Sequence, residues 1–499
     1  MKIQNRFRRQ LLKSGLGIAA APWLLDGASA QTTIRIRQEW QQFKLTSHYQ
    51  SFRNAIASMR ANTNPASRGS LQFWTNVHVN HCPHGAPYFI SWHRGYLYYF
   101  EQQLRIASGD PELNLPYWDY YSYATLPAEF TDPSPTNPLY MPRMSANVYQ
   151  ALNLLPFAAT VHNFQHGTSN AFEPKIEDVH NPVHDLIGGV MTTMQSPLDP
   201  IFFLHHGSVD RLTHAWALPD GKGIPLSAYP YSSTNSDPYW AGNHVYASDL
   251  SIERYRTLDP NWLGNDYANT SVPAVLPPVP VALTTQASRL APSPGLLARQ
   301  RPPFRSFPTV GRRRISEFRR SLGGFSQLAF DEQSVSVHLR LDKTDAAEVG
   351  RVVAARRSGS EADTGARIGT IKVVVDGALV GALAAQGGYF YALYLNMPSS
   401  SESSAPELSF IGTLGAFQIA AASHHGPAKL EFDVSDLLAQ QKITDFSELS
   451  LSWIRIDGDT SPTGKTFHVG EARIDLVLEE KRIKAVPLAK PENWYRGRE

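Results

Sequence analysis

A mainly helical first half followed by an all-β second half is the fold class this sequence predicts, and three observations predict it. Apolar residues recur at helical spacing up to about Thr213. After Ser334 they alternate with a period of two, as in Val335, Val337, Leu339 and Leu341. Between the two regimes, from about Val272 to Pro308, prolines crowd the chain, as in Leu276-Pro-Pro-Val-Pro280. A length of 499 residues exceeds one ordinary core, so more than one domain is expected. The expected organisation is a targeting segment at 1–30, a helical domain at 31–271, a Pro/Arg-rich linker at 272–330, a sandwich-like β domain at 331–485 and a tail at 486–499.

The N-terminus carries Phe7-Arg8-Arg9-Gln10-Leu11-Leu12-Lys13, then a mostly small and apolar run from Ser14 to Leu25, then Ala28-Ser29-Ala30. Twin arginines, a short apolar stretch and an A-x-A site predict export of a folded protein by the twin-arginine route, to the periplasm or beyond the cell. The apolar run is too short to remain as a membrane-spanning helix in the mature chain. Cys82 is the single cysteine, which excludes an intramolecular disulfide framework. A formal net charge of +2 gives no reason to expect nucleic acid or an acidic substrate.

Taking the helical half in order, Trp40, Phe43, Tyr49, Phe52, Ile56 and Met59 predict a helix over Glu39–Arg60. His93, Leu97, Phe100 and Leu104 form one stripe of a helix over Ser91–Ala107, which ends before Gly109-Asp110-Pro111. Residues 126–140 and 218–265 are rich in Pro, Ser, Asn and Tyr and read as long loops. Asp199 is an N-cap candidate and Pro200 suits a first helical position, so a helix is expected from Pro200. On it Phe202, His206 and Asp210 share a face, whereas His205 points about 100° away.

In the linker, Arg299, Arg301, Arg305, Arg312, Arg313, Arg314, Arg319 and Arg320 form a basic run, read as a solvated tether ahead of a protease-sensitive strap. Further strands are expected around Leu449-Leu451-Trp453 and Ile474-Leu476-Leu478. Asp376-Gly377 reads as a hairpin turn, and only Val434–Gln441 as a short helix in this half.

Seventeen histidines are present, and several gather in the helical half. His78, His81, His84 and His93 lie in one stretch; His180 and His184 are one turn apart, and His206 follows 22 residues after His184. A site of imidazoles without thiolate or carboxylate narrows the metal toward copper or zinc, and there are enough for two metals with three each.

These stretches resemble the type-3 copper family of tyrosinases, catechol oxidases and haemocyanins, of bacterial type. The first motif matches at His84 and, nine residues on, Trp92-His93-Arg94. The second matches as His180-Asn181-Pro182-Val183-His184, Gly188-Gly189, then Asp199-Pro200-Ile201-Phe202-Phe203-Leu204-His205-His206 and Asp210-Arg211. The resemblance implies a four-helix bundle whose helix pairs hold two copper ions, with His78, His84 and His93 on one and His180, His184 and His206 on the other. His78 is favoured over His81 because it lies four residues after Trp74, on the same helical face. Dioxygen and small phenols are the implied partners. The implied activity is ortho-hydroxylation of monophenols, oxidation of o-diphenols to o-quinones, or both; the alternative is a haemocyanin-like dioxygen carrier. The oligomeric state is left open.

Further roles follow from the same resemblance. Cys82 in Cys82-Pro83-His84 matches the arrangement that forms a thioether to the imidazole of His84, the alternative being a buried free thiol. Asn181 and Glu177, with Glu173 as rival, are candidates for handling the phenol proton through a water, although Asn181 also suits the N-cap of a helix begun by Pro182. Asp185 is expected to face substrate and to disfavour carboxylates, Phe202 and Met194 to line the pocket, and Asp210 to orient a neighbour of the site. His162 and His166 read as structural or loop-lining. The β half is similar, more weakly, to the shielding domain of plant polyphenol oxidases through Lys429-Leu-Glu-Phe-Asp-Val434, and Tyr389-Phe390-Tyr391 is the candidate plug over the copper site.

Overall fold

The computed structural model describes residues 34–168, 170–217, 239–279, 301–358, 369–399, 408–423 and 427–478. The targeting segment, the tail and residues 280–300 of the linker lie outside the described residues.

The helical half is built from α1 (His48–Ala61), α2 (Leu71–His81), α3 (Phe89–Ser108), α4 (Phe172–Ile187) and α5 (Ile201–Ala217). The helix expected over 39–60 is interrupted. Glu39 caps a single turn, Trp40–Phe43, by accepting from Gln41 N, and α1 starts anew at His48. Ser70 caps α2 in the same way through Gln72 N. Asp199 accepts from Ile201 N, so the cap is as expected and the helix begins one residue after Pro200. Pro182 does not begin a helix. It sits inside α4, where its missing N–H leaves the carbonyl of Asp178 without its helical donor.

A short parallel pair, β1 (Arg35–Arg37) with β4 (Asn265–Tyr267), joins the two ends of this half. A hairpin, β2 (Asn243–Ala247) and β3 (Leu250–Glu253), lies in the span expected to be loop, and its Tyr246 hydroxyl donates to Trp92 O. Behind α3 and α5 is a buried ion network. Arg94 Nε and Arg37 Nη1 donate to the two oxygens of Asp210, Tyr267 OH donates to Asp210 Oδ2, and Arg37 also binds Glu101. Asp210 therefore ties β1, β4, α3 and α5 together; its partners are Arg94, the residue after His93, with Arg37 and Tyr267, and not a histidine of the clusters.

The β half contains a sheet ordered β12-β9-β14-β7-β5, with β6 also on β7, and a sheet ordered β11-β10-β13-β8. Their strands are β5 (Thr309–Val310), β6 (Arg313–Ser316), β7 (Arg319–Phe330), β8 (Val335–Arg340), β9 (Gly369–Val380), β10 (Tyr389–Leu395), β11 (Phe410–Gly415), β12 (Ala428–Asp433), β13 (Glu448–Asp457) and β14 (Phe467–Leu478). Side chains from both sheets, among them Leu328, Val337, Val373, Tyr391, Trp453 and Ile474, share one hydrophobic cluster.

Three expectations change here. The linker stops short of residue 330, because Thr309–Phe330 supplies strands whose arginines pair with carboxylates: Arg319 with Glu431 and Asp475, Arg313 with Glu471. Asp376-Gly377 is no hairpin. β9 runs straight through it, Gly377 takes φ +63°, and the register against β12 slips there as a bulge. Helix α8 (Ser435–Gln440) is where a helix was expected, but α6 (Lys343–Ser358) and α7 (Ala416–Ser423) are additional.

Strand β10 lies between two cores. Tyr389, Tyr391 and Leu393 point into the β cluster, while Phe390, Ala392 and Tyr394 join the core of the helical half. The seam is bonded through main chain as well: Gly388 N to Asp185 O at 2.7 Å, Thr460 N to Met144 O at 3.0 Å and Ala146 N to Asp459 Oδ2 at 2.8 Å. It is also close. A Cβ at Gly188 would lie 2.6 Å from Gln386 O, and one at Gly387 2.5 Å from Asp185 O.

Candidate metal centre

Two groups of histidines meet between the core helices. His78 lies in the last turn of α2, His84 in the following loop and His93 in the second turn of α3. His180 and His184 are one turn apart on α4, and His206 comes from α5. Within each group the donor atoms lie within 4.8 Å of one another. In the second group His206 Nε2 is 3.2 Å from His180 Nε2 and 3.4 Å from His184 Nε2, so three ring nitrogens converge. The groups abut: His93 stacks on His206 with centroids 4.1 Å apart and an interplanar angle of 19°.

Backbone carbonyls fix which nitrogen faces inward. His78 Nδ1 donates to Met194 O at 2.8 Å, His93 Nδ1 to Phe89 O at 2.8 Å and His184 Nδ1 to Met191 O at 2.7 Å. A carbonyl can only accept, so in each neutral ring the proton sits on Nδ1 and Nε2 keeps its lone pair. His180 Nδ1 pairs similarly with Asn181 Oδ1 at 2.9 Å. Burial, reinforced by the neighbouring imidazoles, holds His93, His180, His184 and His206 well below the ordinary histidine range. Neutral, inward-facing imidazoles without a carboxylate among them are a donor set suited to copper.

His205 stacks on His180 at 4.9 Å and 12°, and burial pushes its pKa down to about 3. Its donor atom falls in the same 4.8 Å cluster as those of His180, His184 and His206, but the close Nε2 to Nε2 approaches to His180 and His184 are made by His206. Cys82 Sγ lies 3.5 Å from His93 Nε2 and 3.6 Å from His84 Nε2, and burial raises its thiol well above the usual range.

Residues 37–142 and 126–218 match the common central domain of tyrosinase. Over 211 residues the chain is 30% identical to the tyrosinase of Streptomyces glaucescens, an alignment that covers 34% of this chain and 76% of that protein. The chain belongs to the tyrosinase family. With tyrosinase HcTyr1 of a Hahella species it shares 30% identity over 194 residues, or 31% of this chain and 40% of that one, so it spans well under half the length of that relative. A recombinant latent aurone synthase, a polyphenol oxidase, has the same fold over 90% of each chain, with a TM-score of 0.51 and 16% identity. Tyrosinases form a dinuclear copper family, and the two histidine groups of this chain fit two copper ions.

The remaining expected site residues are distributed unevenly. Phe202 is fully buried, 4.1 Å from the His206 ring and edge-on to His78 at 5.1 Å, so it packs against a histidine of each group. Met194 contributes its carbonyl, not its side chain, to His78. Asn181 is inside α4 and therefore not an N-cap. Glu177 accepts from Gly85 N and faces His166 Nε2 at 3.3 Å, while Glu173 accepts from Tyr239 OH and is pushed up to about 7 by burial. The His162 ring pairs with Thr160 O, and its backbone N–H donates to Asn170 O.

The plug over the centre is not Tyr389-Phe390-Tyr391, which β10 commits to the two cores. It is Phe417, at the start of α7. Its ring stacks on His184 at 3.9 Å and 14° and stands edge-on to His84 at 5.1 Å and His180 at 5.6 Å. Its N–H donates to Asp185 Oδ1 at 2.8 Å. Desolvation pushes Asp185 up to about 8, against the opposing pull of the Phe417 and Ala416 N–H groups. No sequence signal singled out Phe417, because Gly415-Ala416-Phe417 has neither a periodic partner nor a polar handle.

Proposed function

We propose that this protein oxidises phenols with dioxygen, hydroxylating monophenols at the ortho position, oxidising o-diphenols to o-quinones, or both. The convergence of His180, His184 and His206 Nε2, directly beside the His78, His84 and His93 group, carries this reading. Those six histidines are assigned as the ligands of two copper ions. Copper so held supplies dioxygen binding and accepts the electrons of the phenol.

This chain's own residues do the rest. The Met191, Met194 and Phe89 carbonyls hold three of the imidazoles with their lone pairs inward. The face of His184 that Phe417 covers is the surface on which a substrate ring would lie once Phe417 is displaced. Glu177, with His166 as its acid–base partner, and Asn181 are assigned to the phenol proton. Cys82 is assigned as the thioether partner of His84, supported by its approach to that ring. With Phe417 seated, the helical half is closed, so the β half acts as a shield. We further read the core helices as a four-helix bundle, the two sheets as a sandwich, and the twin-arginine segment as an export signal, a route suited to a protein that folds around its metal first.

The test is copper content together with dioxygen uptake on an o-diphenol, before and after limited proteolysis in residues 280–300. Two copper ions per chain and turnover that rises on cleavage are expected. A copper-loaded, cleaved protein that leaves an o-diphenol unchanged overturns the reading.

A further inference from the structure

Helix α4 carries two glutamates one turn apart, and a single loop histidine meets both. Glu173 Oε2 accepts from His166 N at 2.9 Å, and Glu177 Oε2 faces His166 Nε2 at 3.3 Å. Glu173 therefore holds the backbone of His166 where its ring reaches Glu177. In other respects the two carboxylates differ. Glu173 is fully buried, and its other oxygen takes Tyr239 OH at 2.9 Å and Ile90 N at 3.3 Å, so both oxygens are committed. Glu177 looks two ways. Its Oε1 accepts from Gly85 N, the residue after His84, while Oε2 meets His166. The Glu177 side chain is 6% exposed and that of His166 is 30% exposed, so the pair runs from the His84 loop to solvent.

A proton left on Glu177 cannot reach water from the buried carboxyl alone. His166 offers the next step. Desolvation pulls the His166 pKa down, but the hydrogen bond to Glu177 and the charges of Glu177, Glu173 and Asp178, all on α4, raise it overall. When Glu177 takes up a proton, its share of that rise disappears and the imidazolium becomes a stronger acid. It gives its proton to water. The Glu177 proton then crosses to the neutral ring, and the ion pair is restored. One proton leaves the phenol and one enters solvent, with no net change in Glu177 or His166.

We infer that His166 is the exit for the phenol proton: Glu177 collects it on the side of the His84 loop, and His166 releases it to solvent. This exit rests on the assignment of Glu177 to that proton, and it adds the route to water and the event that drives release. His166 acts through Glu177, not on the phenol itself.

The experiment uses the full, copper-loaded chain carrying Phe417→Ala, so that release of the plug does not limit the rate, with and without His166→Gln. Glutamine keeps an N–H for Glu177 but carries no titrating proton. On 4-methylcatechol at pH 7, H166Q is expected to lower kcat about tenfold or more and to leave KM within about twofold. Raising the concentration of a weakly coordinating morpholine buffer should restore the lost turnover and should not change the chain that keeps His166. A structural defect would not respond to buffer. An unchanged kcat in H166Q, or a loss that buffer does not relieve, overturns the exit.

A second measurement needs neither copper nor turnover. In the metal-free chain, NMR titration of the His166 ring should show its pKa fall when Glu177→Gln removes the carboxylate. A ring pKa that E177Q leaves in place overturns the coupling and the exit with it. The two readings fail differently. If the Phe417→Ala chain with His166 in place oxidises no diphenol, the reading of the centre as a phenol oxidase fails. If it turns over and H166Q matches it, only the exit fails.

Discussion

Replacing Phe417 by alanine should turn a closed centre into an open one without touching a ligand. The ring makes one stacked contact, with His184, and two edge-on contacts, with His84 and His180. At about 0.5–1.5 kcal/mol each, the three together favour the seated state by about 1.5–4.5 kcal/mol. Converted at about 1.4 kcal/mol per tenfold, their loss raises the open population by about ten- to a thousandfold. The amide bond to Asp185 survives the substitution, so the cap stays attached through its backbone and only the ring is lost. The assay is the initial rate of dioxygen uptake on an o-diphenol, for wild type and F417A at equal copper content. Phe417→Leu, which keeps bulk but no ring face, should fall between them. An F417A chain with two copper ions that is no faster than wild type would show that access is limited elsewhere, and the shielding role of α7 would be wrong.

Four further outcomes are expected. His206→Ala should lose one of the two copper ions, whereas His205→Ala should keep both while costing about 3 kcal/mol for an emptied buried site, checked by metal analysis and denaturant unfolding. Asp210→Asn should leave two copper ions bound but lower stability by about 3–5 kcal/mol, because Arg94 keeps its buried charge without a carboxylate partner and Arg37 is left with Glu101 alone. Burial lowers the pKa of His166, but its hydrogen bond and charge pairing with Glu177 outweigh this and raise it overall. Its contribution to stability is therefore full below the ordinary histidine pKa and lost as pH rises through the raised value, so the destabilisation caused by His166→Gln should be largest at acidic pH and shrink toward alkaline pH. If the thioether forms, peptide mapping of the mature copper-loaded chain should find Cys82 resistant to alkylation and joined to the peptide of His84; a freely alkylated Cys82 would exclude it.

What could be read from the sequence divides along a physical line. Local chemistry was legible: helical periodicity placed His206 and His205 on different faces, and His78, four residues after Trp74, does enter the first group. The cap at Asp199 is a side chain to backbone contact within two residues, and such contacts are written in the sequence. Anything that required knowing what packs opposite was not legible. Asp210 shares a helical face with His206 yet is claimed by two arginines and a tyrosine from distant elements. Asp376-Gly377 has the composition of a hairpin, but strands on both sides hold β9 straight. Helix α6 went unseen because only Val349, Val352 and Val353 mark its buried face, alongside Asp345. The linker was overextended because arginines that look solvated in a list of residues are paired across a sheet. Phe417 is the extreme case, a residue whose meaning lies in a partner more than 200 positions away.

The glycine contacts at the seam have a consequence for how latency can change over generations. Gly188, Gly387 and Gly388 all hold positive φ; a methyl added at Gly188, Gly387 or Gly415 would collide with the facing half, and one at Gly388 would collide with Thr460 O and crowd Met144 of the facing half at 3.1 Å. Any random substitution at these four positions pries the halves apart, and none can press them closer. Mutation here works as a ratchet in one direction, toward an uncovered histidine centre. A lineage that keeps the guarded form must therefore keep removing leaky variants, and an engineer who wants a permanently open one has four places at which almost any change will serve.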